Sequence, residues 1–167
     1  MYFYCSEIIA VNKDDLTADD YQSLAEFRYQ IRRFLHFSEK AARSSGVNPQ
    51  HHQLLLALKG LPAGVLPTVT EIADRLQIRQ HSAVELTNRL IERGLVQKHQ
   101  DSQDHRRMLL EITPRGETVL RKLSLIHRAQ LESAGKDFIR ALQKLLKNNE
   151  GLHEKDRSGK NNLKRTR

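Results

Sequence analysis

The sequence has very few of the residues that staple or anchor a chain: one cysteine, Cys5, no tryptophan and only four prolines. A lone cysteine cannot form an intramolecular disulfide, so no disulfide framework is expected. No stretch approaches the roughly 20 consecutive apolar residues of a transmembrane helix. The apolar residues 1–5 lack the cationic start and long apolar middle of a secretion signal. A chain of 167 residues suits one domain, and we expect it to be cytoplasmic, without membrane contact.

Motifs for catalysis are missing as well. There is no glycine-rich phosphate loop, and no paired carboxylates or nucleophile–base motif can be assigned. We therefore expect neither an enzyme nor a cofactor. His51 and His52, together with His36, raise the possibility of a metal site. Adjacent residues of a helix point about 100° apart, however, and no carboxylate cluster accompanies them, so no metal is expected.

Charge indicates an anionic partner but does not locate it. Lys and Arg number 28 against 20 Asp and Glu, a formal net charge of +8. Residues 65–116 contain eight basic and seven acidic residues, a net of only +1. The excess lies between residues 28 and 43 and in the C-terminal third. Overall charge can therefore speed non-specific capture of a polyanion. Specific contacts within residues 65–116 would depend on individually positioned side chains and not on a general positive field.

The most informative stretch lies between residues 68 and 116. Thr68 followed by Glu71 predicts the capped start of a short helix. The apolar face of that helix comprises Ile72, Ala73 and Leu76. Residues 77–79 contain no helix-stopping glycine or proline and are interpreted as the tight turn between two packed helices. A second helix is predicted from Gln80.

This second helix has one side suited to packing and one suited to contacts. Spacing of 100° per residue places Ala83, Leu86, Thr87 and Leu90 on the inner side. The outer side contains His81, Ser82, Glu85, Asn88 and Arg89. Nearly all of these can hydrogen-bond a base edge or a phosphate, as a helix in the DNA major groove does. An ordinary solvated face is equally polar. The choice between a DNA-contacting face and a solvated one therefore depends on the elements that flank the helix.

A hairpin is predicted directly after this helix. Gly94 is expected to end the helix in a left-handed conformation and to lead into a strand. Residues 96–100 and 107–113 resemble strands, with a polar tip between them. Asp104 can hold one neighbouring cation, leaving another free to enter a narrow minor groove. Arg106 is the first candidate for that contact, and Arg107 is the second.

Three elements in this order resemble the MarR (multiple antibiotic resistance regulator) family. They are TEIADRL at 70–76, NRLIERGLV at 88–96, and DSQDHRR at 101–107 with ITPRG at 112–116. The resemblance extends over about residues 19–146. It implies a mainly α-helical winged helix-turn-helix with a β-hairpin wing. It also implies a homodimer that binds a near-palindromic operator in double-stranded DNA.

The resemblance and the helical wheel together define a candidate DNA-binding set. Its members are Arg79, Gln80, His81, Ser82, Glu85, Asn88, Arg89, Asp104, His105, Arg106 and Arg107. Two residues depart from the family's pattern. His105 stands where arginine is frequent in the wing, and Glu85 stands where the family often has a neutral or basic residue. A carboxylate can accept from a cytosine amino group but repels phosphate, so the operator sequence does not transfer from relatives.

The regions outside the centre are predicted to be dimerisation helices and a tail. Residues 1–47 would hold an N-terminal segment and the first such helix, which begins near a cap at residues 17–20 and ends at Gly46. Asn48-Pro49 starts the DNA-binding region, 48–116. A long helix over 117–147 needs a partner surface, most simply its symmetry mate. Residues 148–167 are expected to form a disordered basic tail.

The family resemblance also implies a small aromatic or phenolic effector. Candidate pocket residues are Phe27, Arg28, Ile31, Phe34, His51 and His52. Core packing is the competing interpretation for the Phe and Ile residues, because aromatic residues at helical spacing usually bury themselves. Oxidant sensing by Cys5 is disfavoured, since nothing basic adjoins it in sequence to lower its pKa.

Two functions remain open after these considerations. The first is a sequence-specific transcriptional regulator, expected to be a repressor whose operator affinity is altered by a signal. The second is a winged-helix module for protein interaction or DNA architecture, without a specific operator. The polar outer face of the second helix argues against the latter, since protein interfaces favour aromatic and apolar centres.

Overall fold

Residues 16–162 fold into helices and one β-hairpin, as the sequence predicts. The computed structural model describes the backbone of residues 16–162 and the side chains of residues 16–146. The elements in this part are α1 (Ala18–Ser44), α2 (Pro49–Lys59), α3 (Val69–Leu76), α4 (Gln80–Glu92), β1 (Val96–Gln100), β2 (Met108–Ile112) and α5 (Pro114–Asn162). Contacts divide it into two units: Phe37–Arg128, and residues 16–36 with 129–162.

The first two helices begin at side-chain caps. At α1, Thr17 N–H donates to Asp20 Oδ2 at 2.9 Å, and Asp20 N–H donates to Thr17 Oγ1 at 3.3 Å. This reciprocal pair satisfies two amides that the helix itself leaves free. At α2, Asn48 Oδ1 accepts from Gln50 N–H at 2.8 Å, with Pro49 in the first turn. Both starts agree with the sequence.

The turn between α3 and α4 is tight because one residue adopts an unusual conformation. Thr68 Oγ1 caps α3 by accepting from Glu71 N–H at 3.2 Å. After α3, Gln77 is left-handed, with φ of 52°, and its N–H donates to the carbonyls of Ala73 and Asp74. Gln77 Nε2 also donates to the Asp74 carbonyl at 2.6 Å. These bonds offset the steric cost of placing a side chain in the left-handed region.

The unit Phe37–Arg128 is built around one apolar core from α2, α3, α4, the hairpin and the start of α5. Its buried members are Leu54, Leu55, Leu58, Ile72, Leu86, Leu90, Leu95, Val96, Leu110 and Leu120. All four residues predicted for the inner side of α4 are buried. Thr87 is accommodated there because its hydroxyl donates to the Ala83 carbonyl at 2.7 Å. The outer side of α4 is thereby turned away from the core.

The hairpin is attached to α4 through a left-handed glycine and backbone bonds. Gly94 has φ of 65°, as expected for the end of a helix. β1 and β2 are antiparallel, with Val96 opposite Ile112. Leu110 N–H donates to the Pro67 carbonyl at 2.8 Å, which also ties β2 to the segment before α3. The position of the wing relative to α4 is therefore fixed at both ends.

The second unit combines the beginning of α1 with the later part of α5. Phe27 and Phe138 have ring centroids 5.6 Å apart, and Lys144 Nζ lies 2.8 Å from Asp19 Oδ1. Several large apolar side chains of this unit are exposed: Tyr21, Leu24, Tyr29, Leu131, Ile139 and Leu146. Exposed apolar side chains in this number are typical of a surface that packs against a partner.

The prediction of a disordered tail from residue 148 is wrong as far as residue 162, because α5 continues to Asn162. Residues 148–162 contain no proline, and most of them are compatible with a helix. The apolar residues 1–5, which include Cys5, lie outside the described residues, as do residues 163–167. No helix of the described part is both long and apolar enough to cross a bilayer.

Candidate nucleic-acid interface

The outer face of α4 is exposed and mostly polar. Arg79, Gln80, His81, Glu85, Asn88 and Arg89 are exposed, and Ser82 is half-buried. Arg79 occupies the N-cap position without a side-chain cap bond, and the first turn contains no acidic residue. The positive end of the helix dipole is therefore not neutralised locally, which favours an anion there.

Two outer residues of α4 form hydrogen bonds with residues of other elements. Gln80 Nε2 donates to Thr70 Oγ1 of α3 at 3.3 Å. Asn88 Oδ1 accepts from Lys98 Nζ of β1 at 3.1 Å. The second contact connects α4 to the wing.

The carboxylate that departs from the family's pattern has a cation beside it. Glu85 Oε2 lies 3.9 Å from Arg89 Nη2, one helical turn later, and both side chains are more than half exposed. Such pairs contribute only a few tenths of a kcal/mol to stability. The pair nevertheless reduces the repulsion that a free Glu85 would exert on a phosphate, while leaving its oxygens available to a base.

The wing tip separates its two arginines in the way that the sequence suggested. Arg107 Nε lies 3.2 Å from Asp101 Oδ2 and 3.3 Å from Asp104 Oδ2. Asp104 Oδ1 also accepts from Arg106 N–H at 3.1 Å, which shapes the turn. The Arg106 side chain is exposed and forms no ion pair with another described residue. Arg106 is therefore the cation available at the tip.

His105 contributes its backbone to the tip. Its carbonyl accepts from Gln100 Nε2 at 2.7 Å, while the imidazole is exposed. This bond and the one from Asp101 N–H to the Arg107 carbonyl, 3.0 Å long, close the loop. The wing tip is thus a braced turn that presents His105 and Arg106 outward.

Three residues of this surface were missed by sequence reasoning: Thr70, Lys98 and Val84. Val84 is 38 % exposed, although valine is usually buried. Its position three residues after His81 and four before Asn88 places it on the outer face, so the same helical wheel could have identified it. Lys98 could not be found that way, since its contact with Asn88 depends on how the hairpin folds back.

The six residues predicted to form an effector pocket fall in different units. Phe27, Ile31 and Phe34 are half-buried and Arg28 is exposed, all in the unit that contains the start of α1. His51 and His52 are buried in the unit Phe37–Arg128. Phe27 packs on Phe138, as the core-packing interpretation expects. The pocket itself stays a prediction.

The two buried histidines are held uncharged by their surroundings. Burial, and then the neighbouring Arg93 and Arg89, lower the pKa of His51. Burial, and then His127, lower the pKa of His52 to about 4. His52 stacks on His127 with ring centroids 4.7 Å apart. Among the described residues, no group of three or more His, Cys, Asp or Glu side chains is arranged to hold a metal ion.

Fold and surface together define a winged helix-turn-helix protein. The model of the MarR family matches residues 45–107, which contain α2, α3, α4, β1 and the wing tip. The resemblance to the MarR family is thereby confirmed for this segment, and the described chain has the fold of solved MarR family regulators. No curated protein matches the sequence.

Several solved structures share the fold. AbsC, a MarR family transcriptional regulator from Streptomyces coelicolor, is 20% identical, with 87% of this chain and 99% of that chain covered and a TM-score of 0.62. The MepR F27L mutant from S. aureus, bound to an oligodeoxyribonucleotide, is 18% identical over 85% and 99%, with a TM-score of 0.54. CouR from Rhodococcus jostii RHA1, bound to p-coumaroyl-CoA, is 21% identical over 68% and 83%, with a TM-score of 0.53.

Proposed function

We propose that this protein is a sequence-specific DNA-binding transcriptional regulator that acts in the cytoplasm, with residues 48–116 as its DNA-binding region. The observation that carries the proposal is the pairing, within one unit, of an exposed polar face on α4 with a braced wing that leaves Arg106 free. A helix with this face suits the major groove, and an arginine at the wing tip suits the minor groove. The MepR mutant of the same fold was solved with an oligodeoxyribonucleotide.

The regulator would bind as a homodimer to a near-palindromic operator and act as a repressor. The exposed apolar side chains of α1 and α5, such as Leu24, Leu131 and Ile139, supply surface that a second copy would bury. Two copies of α4 would then contact half-sites about one helical turn apart. Sedimentation at micromolar concentration should give a dimer, and charged substitutions at Leu131 and Ile139 should shift it toward monomer.

A small aromatic or phenolic effector would release the operator. CouR was solved with p-coumaroyl-CoA, and DNA binding by BpsR from Bordetella bronchiseptica is regulated by 6-hydroxynicotinic acid. The half-buried Phe27, Ile31 and Phe34 supply apolar surface that an aromatic ring would contact, and Arg28 supplies a cation for an acid group. A thermal-shift screen of aromatic acids and phenols, followed by operator release, tests this part.

The deciding experiment is selection of bound sequences from a random pool of duplexes with the purified protein. A sequence-specific regulator should enrich a near-palindromic motif, and the enriched duplex should bind at least about 1,000-fold more tightly than a scrambled one. Salt titration on both duplexes separates phosphate contacts from base contacts. Binding without an enriched motif would contradict the proposal and favour an architectural or protein-interaction role.

A further inference from the structure

Asn88 and Lys98 form a contact between α4 and the wing in which one partner can only donate hydrogen bonds. Lys98 Nζ lies 3.1 Å from Asn88 Oδ1, and both residues are exposed. An ammonium group has only donors, so the amide oxygen, and not the amide nitrogen, must face it. The pair therefore directs the Asn88 NH₂ group, with two donors, away from Lys98.

This orientation does not suit the base contact that an asparagine usually makes in the major groove. Reading adenine requires the amide to donate to N7 and accept from N6 at the same time, with both ends of the amide facing the base. In Asn88 the accepting end is turned toward Lys98. A phosphate, by contrast, presents only acceptor oxygens and is matched by donors alone.

The charge of Lys98 is also available to a phosphate. Its hydrogen-bond partner is a neutral amide, and no carboxylate of residues 16–146 forms an ion pair with it. The neighbouring arginines differ, since Arg89 lies beside Glu85 and Arg107 lies between Asp101 and Asp104. Lys98 thus combines a positive charge with a hydrogen bond that connects β1 to α4.

We propose that Asn88 and Lys98 together bind one backbone phosphate of the DNA, and that Asn88 contributes affinity without contributing base preference. The inference rests on the proposed function, since it requires duplex DNA as the ligand. It narrows the sequence-based expectation, which allows Asn88 to contact either a base edge or a phosphate. It also adds Lys98 to the surface.

The test compares Asn88→Ala, Lys98→Met and the double variant with the wild-type protein. Fluorescence anisotropy would measure binding to the selected duplex and to a scrambled one at several salt concentrations. Lys122→Met is the matched control, because it removes one exposed lysine from α5 in the same unit. Thermal unfolding of each variant confirms that the fold is retained.

A phosphate clamp predicts that Lys98→Met weakens binding about tenfold on both duplexes and reduces the magnitude of the salt slope by about one. Asn88→Ala should weaken binding to the two duplexes by a similar factor. Selection from the random pool, repeated with this variant, should return the wild-type motif. The double variant should lose less than the sum of the two single effects, because the residues share one ligand. Lys122→Met should leave the salt slope within error.

Two results would overturn the inference while leaving the proposed function intact: loss of preference at one base position in Asn88→Ala, or an unchanged salt slope in Lys98→Met. A different result separates the two claims. If the wild-type protein selects no motif but Lys98→Met still lowers the slope, the phosphate clamp is supported and sequence-specific regulation is contradicted.

Discussion

Arg106 and Arg107 are adjacent in the sequence, yet the fold gives them different roles. The sequence predicts that Asp104 holds one of the two and leaves the other free, because a carboxylate at this spacing reaches a neighbouring cation. It does not reveal the second carboxylate, Asp101, which is brought to Arg107 only when the hairpin closes. The free residue is the one nearest the tip.

Substitution of Arg106 and substitution of Arg107 should therefore have different effects. We expect Arg106→Ala to weaken operator binding about tenfold without changing the free energy of unfolding, since its side chain is exposed and unpaired by described residues. Arg107→Ala should lower the free energy of unfolding by about 1 kcal/mol, because the Asp101 carboxylate is 8% exposed and would lose its cation. Binding isotherms and urea titrations measure the two effects. Equal stability losses would contradict the assignment.

Val84 provides a second prediction at the scale of one residue. An exposed apolar side chain on a helix that lies in the major groove can contact the methyl group of thymine. We expect Val84→Ser to reduce the preference for thymine at one position per half-site by about fourfold, the equivalent of one buried methyl group. Val84→Ile should keep the preference. Selection experiments on both variants test this contact. An unchanged motif in Val84→Ser would mean that Val84 does not contact a base.

At the scale of elements, the sequence predicts most beginnings of helices and fewer of their ends. Caps such as Thr17 and Asn48 are visible because they act within three residues. The left-handed Gln77 was not foreseen, since glycine is the usual signal for that conformation and the turn is imposed by packing of α3 on α4. The low apolar content of residues 148–167 predicts disorder, whereas α5 continues to Asn162.

Two glycines of α5 allow a matched test of how the wing joins this helix. A Cβ at Gly116 would overlap the Leu95 carbonyl oxygen and approach Ile112 Cγ2 to 2.7 Å, whereas a Cβ at Gly135 meets nothing within 4 Å. We expect Gly116→Ala to lower the free energy of unfolding by about 1–3 kcal/mol. Gly135→Ala should raise it by about 0.5–1 kcal/mol, since alanine loses less entropy in a helix. Urea titration of both variants measures these changes, and equal effects would contradict the close approach at Gly116.

At the scale of the whole molecule, local sequence patterns predict the structure best where the contacting residues are close in sequence. The order of α3, turn, α4 and hairpin follows from helical spacing, caps and Gly94, and the MarR resemblance rests on the same residues. Contacts such as Lys98 with Asn88, or His52 with His127, join residues of different elements. No periodicity encodes them, so they became visible only in the folded chain.

The buried His52 makes the stability of the folded chain depend on pH. Its side chain is 3% exposed, and burial and the neighbouring His127 lower its pKa from 6.5 to about 4. Between these two pKa values the His52 site binds more protons in the unfolded chain than in the folded one, so the contribution of His52 to stability is fully present above pH 6.5 and is lost as the pH falls toward 4. The loss assigned to His52 is at most about 3 kcal/mol. His51, whose pKa is also lowered by burial, acts in the same direction.

Substitution of His52 isolates this contribution from that of every other titrating group. His52→Phe keeps an aromatic ring against His127 but cannot take up a proton. We expect the free energy of unfolding of the variant, measured in urea from pH 7.5 to 4.5, to fall less steeply than that of the wild-type protein. The comparison uses the slopes and not the absolute stabilities, because the new ring also changes packing. Parallel slopes would mean that His52 is protonated equally in the folded and unfolded chains, and that its burial does not control the response to acid.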